Sequence, residues 1–144
     1  MEKNDAFDLQ LFLPYLLNQA AETSSDGFQQ IYKDRYGMLR TDWRVLFHLG
    51  IYGRMTARDI GRMAQVHKTK ISRAVARLEA RRFLTREEDG ADRRVAHLRL
   101  TAAGQAAYRD LRGVAEAYEA RLVSGLAPED VAVLRRALLH LAGR

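Results

Sequence analysis

Apolar residues recur every three or four positions along most of the chain, a spacing that predicts a mainly helical protein. Within residues 7–36 the pattern is carried by Leu9, Phe12, Leu13, Leu16, Leu17 and Ala20. Pro14 lies near the start of this segment, and proline inside a helix removes a backbone hydrogen bond. We therefore expect this helix to kink or to begin late, and residues 23–27 are its weakest stretch.

The middle of the chain predicts three shorter helices. Thr41 has the side chain of an N-cap for a helix over residues 42–50. Thr56 and Asp59 are spaced as in a capping box and open a helix over residues 57–64. A third helix follows over residues 67–82 after a connection of about three residues, and such a pair of helices is typical of a helix-turn-helix.

Residues 83–100 predict a β-hairpin with a charged loop. Ala96, Leu98 and Leu100 alternate with Val95, His97 and Arg99, which is the period of a strand. Thr101 then caps a long helix to about residue 122, and Pro128 opens the last helix at a position where proline is tolerated. The fold class is therefore mainly α with a small β-hairpin wing, a winged helix-turn-helix.

The length of 144 residues suits one domain, residues 1–144. We assign residues 41–100 to a winged helix-turn-helix lobe that binds DNA. The helices in residues 7–36 and 101–142 are too apolar for so small a module, so we expect them to bury against a second copy as N- and C-terminal dimerisation helices. No apolar run approaches the roughly 20 residues that span a bilayer, and a cytoplasmic protein is expected.

The positive charge is concentrated in the predicted lobe. The chain has a net charge of +6, whereas residues 53–99 hold 13 Lys or Arg and 6 Asp or Glu, a net charge of +7. A basic surface chosen for solubility would usually be more dispersed. The concentration therefore favours a polyanion partner, which for this fold is double-stranded DNA.

The helix over residues 67–82 has one apolar and one polar face. Ile71, Ala74, Val75 and Leu78 would face the core. The opposite face carries the predicted DNA contacts, with bases for Thr69 and Arg73 and phosphates for Lys68, Lys70 and Arg77, while Ser72 could serve either. His67, beside this helix, is a further candidate phosphate contact. A routine solvated helix face is the alternative.

The predicted wing tip reads Asp92-Arg93-Arg94. An arginine on a projecting loop can enter the minor groove, where the potential is most negative. Asp92 cannot favour DNA by its charge, so we expect it to orient Arg94 through a carboxylate–guanidinium pair. An ordinary polar turn is the alternative.

These features resemble the MarR (multiple antibiotic resistance regulator) family. The resemblance rests on Asp92-x-Arg94 followed by Leu100-Thr101 and Gly104, on Ile71-Ser72-Arg73, and on Leu78-Glu79 with Phe83-Leu84. Leu39, Thr41, Trp43 and Leu46 also suit the family's second helix. It implies that the first helix runs through residues 23–27. It also implies a dimer joined through its terminal helices, bound to pseudo-palindromic operators, usually as a repressor.

The resemblance further implies release from DNA by a small phenolic or aromatic acid. Tyr36, Trp43, Arg44 and His48, with Phe47, could form such a pocket, because aromatic walls and a cation suit a carboxylate. Alternatively, Trp43 and Phe47 are core residues and His48 is a core polar group with a satisfied hydrogen bond. Peroxide sensing through cysteine is excluded, since the chain has no cysteine.

No motif indicates an enzyme, a cofactor or a metal. The four histidines are far apart, and Gly-x-Ser-x-Gly and phosphate-binding glycine loops are missing. Two other classes stay open. One is a protein–protein interaction module whose basic lobe meets an acidic partner, and the other is an RNA-binding or architectural protein without sequence preference.

Overall fold

The computed structural model describes residues 6–92 and 94–144. After a short 3-10 helix at Leu9–Leu11, six α-helices and three strands follow. In chain order they are α1 (Leu13–Tyr36), α2 (Arg40–Tyr52), β1 (Met55–Thr56), α3 (Ala57–Ala64), α4 (Lys68–Ala80), β2 (Leu84–Glu88), β3 (Ala96–Leu100), α5 (Ala102–Leu122) and α6 (Pro128–Leu141). The predicted fold class, mainly α with a hairpin wing, is confirmed.

Helix α1 begins late, as Pro14 predicts, with that proline in its first turn. It continues without a break through residues 23–27. Gly27 allows this segment to pack closely, because a Cβ atom there would lie 2.7 Å from the Tyr118 ring of α5. The Tyr118 hydroxyl donates a hydrogen bond to the Ser24 carbonyl oxygen at 2.6 Å, which joins α5 to the middle of α1.

The predicted start of α2 is wrong. Thr41 is not its N-cap, because the helix begins at Arg40 with Leu39 as the capping residue. The Asp42 carboxylate accepts the Leu39 backbone N–H at 2.8 Å and so supplies the cap from inside the helix. By contrast, Thr56 caps α3 as predicted, with its hydroxyl accepting the Asp59 N–H at 3.1 Å.

The wing is a three-stranded antiparallel sheet in the order β1-β3-β2. Strands β2 and β3 form the predicted hairpin, with Leu84 opposite Leu100 and Glu88 opposite Ala96. Sequence reasoning missed β1, which has two residues and pairs Met55 with Leu98. A strand of that length has no detectable period, so only the edge of β3 specifies it.

One core joins the helix-turn-helix to α1 and α5. Its fully buried side chains come from all α-helices except α6 and from the sheet, and they include Tyr32, Leu46, Ile71, Leu98 and Leu111. The 3-10 helix and α6 contain no buried residue. The lobe is therefore packed within one copy of the chain, whereas α6 is not.

Candidate nucleic-acid interface

Helix α4 separates a buried face from an exposed one. Ile71, Ala74, Val75 and Leu78 are all buried, as predicted. The helix ends at Ala80, two residues earlier than expected, and Arg82 then adopts a left-handed backbone conformation with φ of 63°. The buried face of α4 therefore packs against the core, and the polar side chains of its N-terminal turns face solvent.

The exposed face of α4 holds most of the predicted DNA contacts. Lys68, Thr69, Lys70, Ser72 and Arg73 are all exposed. No side chain among the described residues forms an ion pair with either lysine or with Arg73. Their charges are thus available to an external anion.

A groove of about 840 Å³ lies between α3 and α4. It is lined on one side by Arg58 and Arg62 and on the other by Lys68, Thr69 and Arg73. Sequence reasoning missed the two α3 arginines. Their i, i+4 spacing on the polar face of α3 was the available signal, since such residues are neighbours on a helix surface.

Two residues of this region have internal partners. The His67 ring nitrogen Nδ1 accepts the Thr69 N–H at 3.2 Å and so caps α4. Arg77 donates to the Asp42 carboxylate through Nη2 at 2.7 Å and through Nε at 3.0 Å. The guanidinium expected to contact phosphate is therefore engaged with α2.

The wing tip has the predicted carboxylate–guanidinium pair. Arg94 donates to Asp92 through its backbone N–H at 2.9 Å and through Nε at 3.2 Å. These two hydrogen bonds hold the pKa of the Asp92 carboxyl below its ordinary value, so the group stays ionised. The Arg94 side chain is nevertheless 91% exposed. Arg93, the third predicted wing residue, lies outside the described residues.

The other cations of the sheet face acidic neighbours. Arg54 lies 3.2 Å from Glu87, and Arg86 lies 3.1 Å from Glu79. Arg99 also approaches Glu87 at 3.6 Å. Arg94 differs from these because its partner leaves it almost fully exposed at the tip of the hairpin.

A second concave site lies between α1, the start of α2, and α5. This cavity of about 180 Å³ has aromatic walls and two arginines. Its lining includes Phe28, Tyr32, Arg40, Trp43, Arg44 and Tyr118. We call it the α1–α2–α5 cavity.

The two arginines of the α1–α2–α5 cavity differ in their partners. Arg40 lies 3.1 Å from Glu22, and this contact lowers the pKa of the Glu22 carboxyl. Burial raises the pKa of the Tyr32 hydroxyl, which therefore stays neutral. Arg44 has no ion-pair partner among the described residues, and its guanidinium carbon lies 5.9 Å from the Trp43 ring centroid.

Only two of the five predicted pocket residues, Trp43 and Arg44, line this cavity. Tyr36 instead donates to the Asp110 carboxylate at 2.5 Å. Phe47 packs against Tyr108, with the ring centroids 5.3 Å apart. The His48 Nδ1–H donates to the Arg44 carbonyl oxygen at 2.6 Å. The cavity thus includes part of α2, but the sequence could not show which faces of that helix meet α1 and α5.

The described residues contain no group of three or more side chains suited to hold a metal ion. Within the same part of the chain, no helix has the length and apolar character needed to cross a membrane.

Residues 36–95, which span the helix-turn-helix and the wing up to Val95, match the model of the MarR family. Among curated proteins, none matches the chain by sequence.

Several solved structures share the fold over nearly the whole chain. A MarR family transcriptional regulator from Silicibacter pomeroyi is 29% identical with a TM-score of 0.82, over 96% of this chain and 98% of its own. BpsR of Bordetella bronchiseptica, whose DNA binding is regulated by 6-hydroxynicotinic acid, is 23% identical with a TM-score of 0.88, over 97% and 99%.

A mutant MarR from E. coli, solved with operator DNA, is 19% identical with a TM-score of 0.83, covering 96% of this chain and 99% of its own. The last two likenesses concern the fold alone. The family match falls on the segment that carries the exposed α4 face and the wing. With these findings the helix-turn-helix and wing of the chain are similar to the MarR family, and the chain shares its fold with transcriptional regulators of that family.

Proposed function

We propose that this regulator binds specific double-stranded DNA as a homodimer and acts as a repressor of pseudo-palindromic operators. The observation that carries the proposal is the exposed face of α4, where Lys68, Lys70 and Arg73 have no ion-pair partner among the described residues. Such a face beside an exposed wing arginine has the charge and the shape to follow a DNA groove.

In this proposal α4 enters the major groove. Arg73 and Thr69 would contact base edges, because arginine donates two parallel hydrogen bonds to guanine and threonine serves several bases. Lys68 and Lys70 would contact phosphates, and Ser72 either group. Arg77 drops out of the phosphate set, since Asp42 already engages its guanidinium.

The wing would place Arg94 in the adjacent minor groove. Its Asp92 partner fixes the direction of the side chain while leaving it 91% exposed. That arrangement reduces the conformational entropy that the arginine loses on binding. Arg93 would contribute a second charge at the same tip.

The homodimer is supported by the apolar side chains that one copy leaves exposed. Among the described residues, thirteen of the sixteen exposed large apolar side chains lie in residues 7–16 or 122–141. Monomeric proteins rarely expose contiguous apolar patches larger than a few hundred Å². A second copy packed on these ends would bury them and would set two α4 helices at a fixed spacing.

The effector would be a small aromatic or phenolic acid in the α1–α2–α5 cavity. Arg44 supplies a cation without an ion-pair partner among the described residues, and Tyr32, Trp43 and Tyr118 supply aromatic surface. A volume of about 180 Å³ restricts the ligand to a small molecule. BpsR, which shares the fold, is regulated by an acid of this class.

The DNA proposal is tested with the double variant Arg73→Ala/Arg94→Ala and a DNA fragment selected by the wild-type protein. Removing one arginine–base interaction costs about 1–3 kcal/mol, so affinity should fall roughly tenfold or more. The control Arg109→Ala/Arg121→Ala removes the same charge from α5. Equal affinities for the two double variants in a salt-controlled binding titration would contradict the proposal.

The effector proposal is tested by thermal shift with 6-hydroxynicotinic acid and related aromatic acids. A ligand that binds the folded state raises Tm, and the shift should disappear in Arg44→Ala. Arg109→Ala serves as the matched charge control. A shift of equal size in both variants would place the ligand elsewhere.

A further inference from the structure

Helix α4 is held at two points by the corner between α1 and α2, residues 36–42. Arg77 pairs with Asp42 in the first turn of α2. Arg81, one turn further along the chain, donates to the Tyr36 carbonyl oxygen at the end of α1. Both arginines thus leave the helix that carries the DNA-facing residues and reach the same short corner.

In the Arg77–Asp42 pair the carboxylate is buried and the arginine is partly exposed. Asp42 is 2% exposed and is the only buried charged residue among those the structure describes. Its carboxylate accepts the Leu39 N–H as well as the two guanidinium nitrogens of Arg77. Such a forked pair fixes the relative direction of both side chains, and therefore of the helices that carry them.

The second point depends on Gly37. This residue has φ of 63°, the left-handed conformation that favours glycine. A Cβ atom there would lie 2.2 Å from the Arg81 Nη1 atom. The corner therefore has both the backbone conformation and the open space that the Arg81 guanidinium requires.

The opposite side of the corner faces the α1–α2–α5 cavity. Arg40, Trp43 and Arg44 line that cavity and lie within two residues of Asp42 on the first turn of α2. The turn that binds Arg77 on one face thus contributes both of the cavity's arginines and its indole on the other. Any rotation of this turn would change both sites together.

We propose that Asp42, Arg77 and Arg81 are positioning residues that hold α4 in its DNA-reading orientation and link that orientation to the α1–α2–α5 cavity. The inference rests on the proposed DNA-binding function and adds the residues through which α4 and the cavity affect each other. If the two sites are linked, operator DNA changes the affinity of the cavity for its ligand by the same factor by which that ligand changes the affinity for DNA.

The single tryptophan of the chain makes this linkage measurable. Trp43 is half-buried in the cavity wall, 5.3 Å from the Phe28 ring and 5.2 Å from the Phe47 ring by centroid distance. It lines the α1–α2–α5 cavity and not the groove between α3 and α4. A change in its emission on binding operator DNA must therefore be transmitted through the protein, and DNA of unrelated sequence provides the baseline.

The test variant is Asp42→Asn/Arg77→Gln. The amide oxygen of asparagine can still accept the Leu39 N–H. Because both substituted side chains are neutral, no buried charge is left without a partner, and the variant should fold. We expect its operator affinity to fall by a factor on the order of 5–150, the usual size of a coupling between sites. Its affinity for unrelated DNA should stay unchanged, and the operator-induced change in Trp43 emission should disappear. Arg77→Lys should retain part of that change.

The control Leu111→Ala separates positioning from reduced stability. It removes a fully buried α5 side chain and should lower Tm, while every side chain of the corner, residues 36–42, stays in place. At a temperature where circular dichroism shows both variants folded, Leu111→Ala should keep the operator affinity and the Trp43 response. Equal reductions in both variants would overturn the inference, as would a wild-type response in Asp42→Asn/Arg77→Gln. A wild-type protein without preference for any DNA sequence would instead overturn the proposed function itself.

Discussion

The helix-turn-helix lobe and the chain ends differ in how they place their apolar side chains. In the lobe, Val45, Leu46 and Ile60 are completely buried within one copy of the chain. In α6 no residue is buried, and Leu134 and Leu141 are 44% and 57% exposed. The lobe therefore completes its core with α1 and α5 of the same copy, whereas α6 has an apolar stripe without a core.

The charges follow the same division. Residues 53–99 have a net charge of +7, while the other residues together hold 11 Lys or Arg and 12 Asp or Glu. The positive charge thus lies in the helix-turn-helix and the wing, whereas most of the exposed large apolar side chains lie in the nearly neutral ends. The surface proposed to meet DNA and the surface proposed to meet a second copy are therefore separate parts of one small chain.

The largest expected effect comes from placing charge on the exposed stripe of α6. Leu134→Glu/Leu141→Glu should convert the dimer into a folded monomer, since buried unpaired carboxylates are not tolerated in an apolar interface. Operator binding should fall by more than about tenfold, because the two half-sites are then no longer bound together. Light scattering and a DNA titration measure both effects.

A matched control for this variant is Ala103→Glu/Ala106→Glu, which adds the same charge to α5 outside its buried face. It should keep the dimer mass. If the α6 variant also stays a dimer, the apolar ends are not the interface and the comparison between the two regions fails.

A smaller effect is expected at Gly37, in the corner between α1 and α2. Gly37→Ala should destabilise the fold by about 1–2 kcal/mol through the left-handed backbone alone. It should not change the dimer mass, because Gly37 lies outside residues 7–16 and 122–141, which carry most of the exposed large apolar side chains. Gly37→Asn tolerates that conformation better but still crowds Arg81, so it separates the backbone cost from the displacement of the Arg81 guanidinium. Denaturant unfolding of both variants measures the difference, and equal stability of Gly37→Ala and the wild type would contradict the structure of the corner.

The smallest effect concerns pH. Burial and the hydrogen bond to Asp110 raise the pKa of Tyr36 to about 12. Because the folded pKa lies above the unfolded value of about 10, this hydrogen bond stabilises the fold fully below about pH 10, and its contribution vanishes as the pH rises towards about 12. Tyr36→Phe should therefore flatten part of the alkaline fall in unfolding free energy. An unchanged alkaline profile in the variant would show that Tyr36 does not couple α1 to α5 in this way.

The elements of the lobe could be predicted because each has a local signal. Thr56 and Thr101 cap their helices with their own hydroxyls, and both caps are where the sequence places them. Thr41 failed as a cap because α2 already begins at Arg40, where the Asp42 carboxylate accepts the Leu39 N–H from inside the helix. A cap supplied in this way also depends on Arg77, which is 35 residues away along the chain.

The candidate site could be predicted only in part for the same reason. A helical wheel separates Ile71 from Arg73, since that distinction depends on one helix. Whether the Arg77 side chain faces solvent or Asp42 depends on how α4 packs against α2. The spacing of apolar residues within one helix carries no information about that packing. The same holds for the cavity, where Tyr32 and Tyr118 come from helices that are distant in sequence.

In the proposed assembly, two basic lobes joined by the apolar chain ends bind a two-fold DNA sequence. Selection of genomic fragments by the purified wild-type protein, followed by footprinting, is the decisive experiment. We expect one enriched motif with two inverted half-sites about 10–10.5 base pairs apart, or a multiple of that spacing, both protected together. Enrichment of no motif, or protection of a single unpaired site at the concentration where the protein is dimeric, would contradict the account.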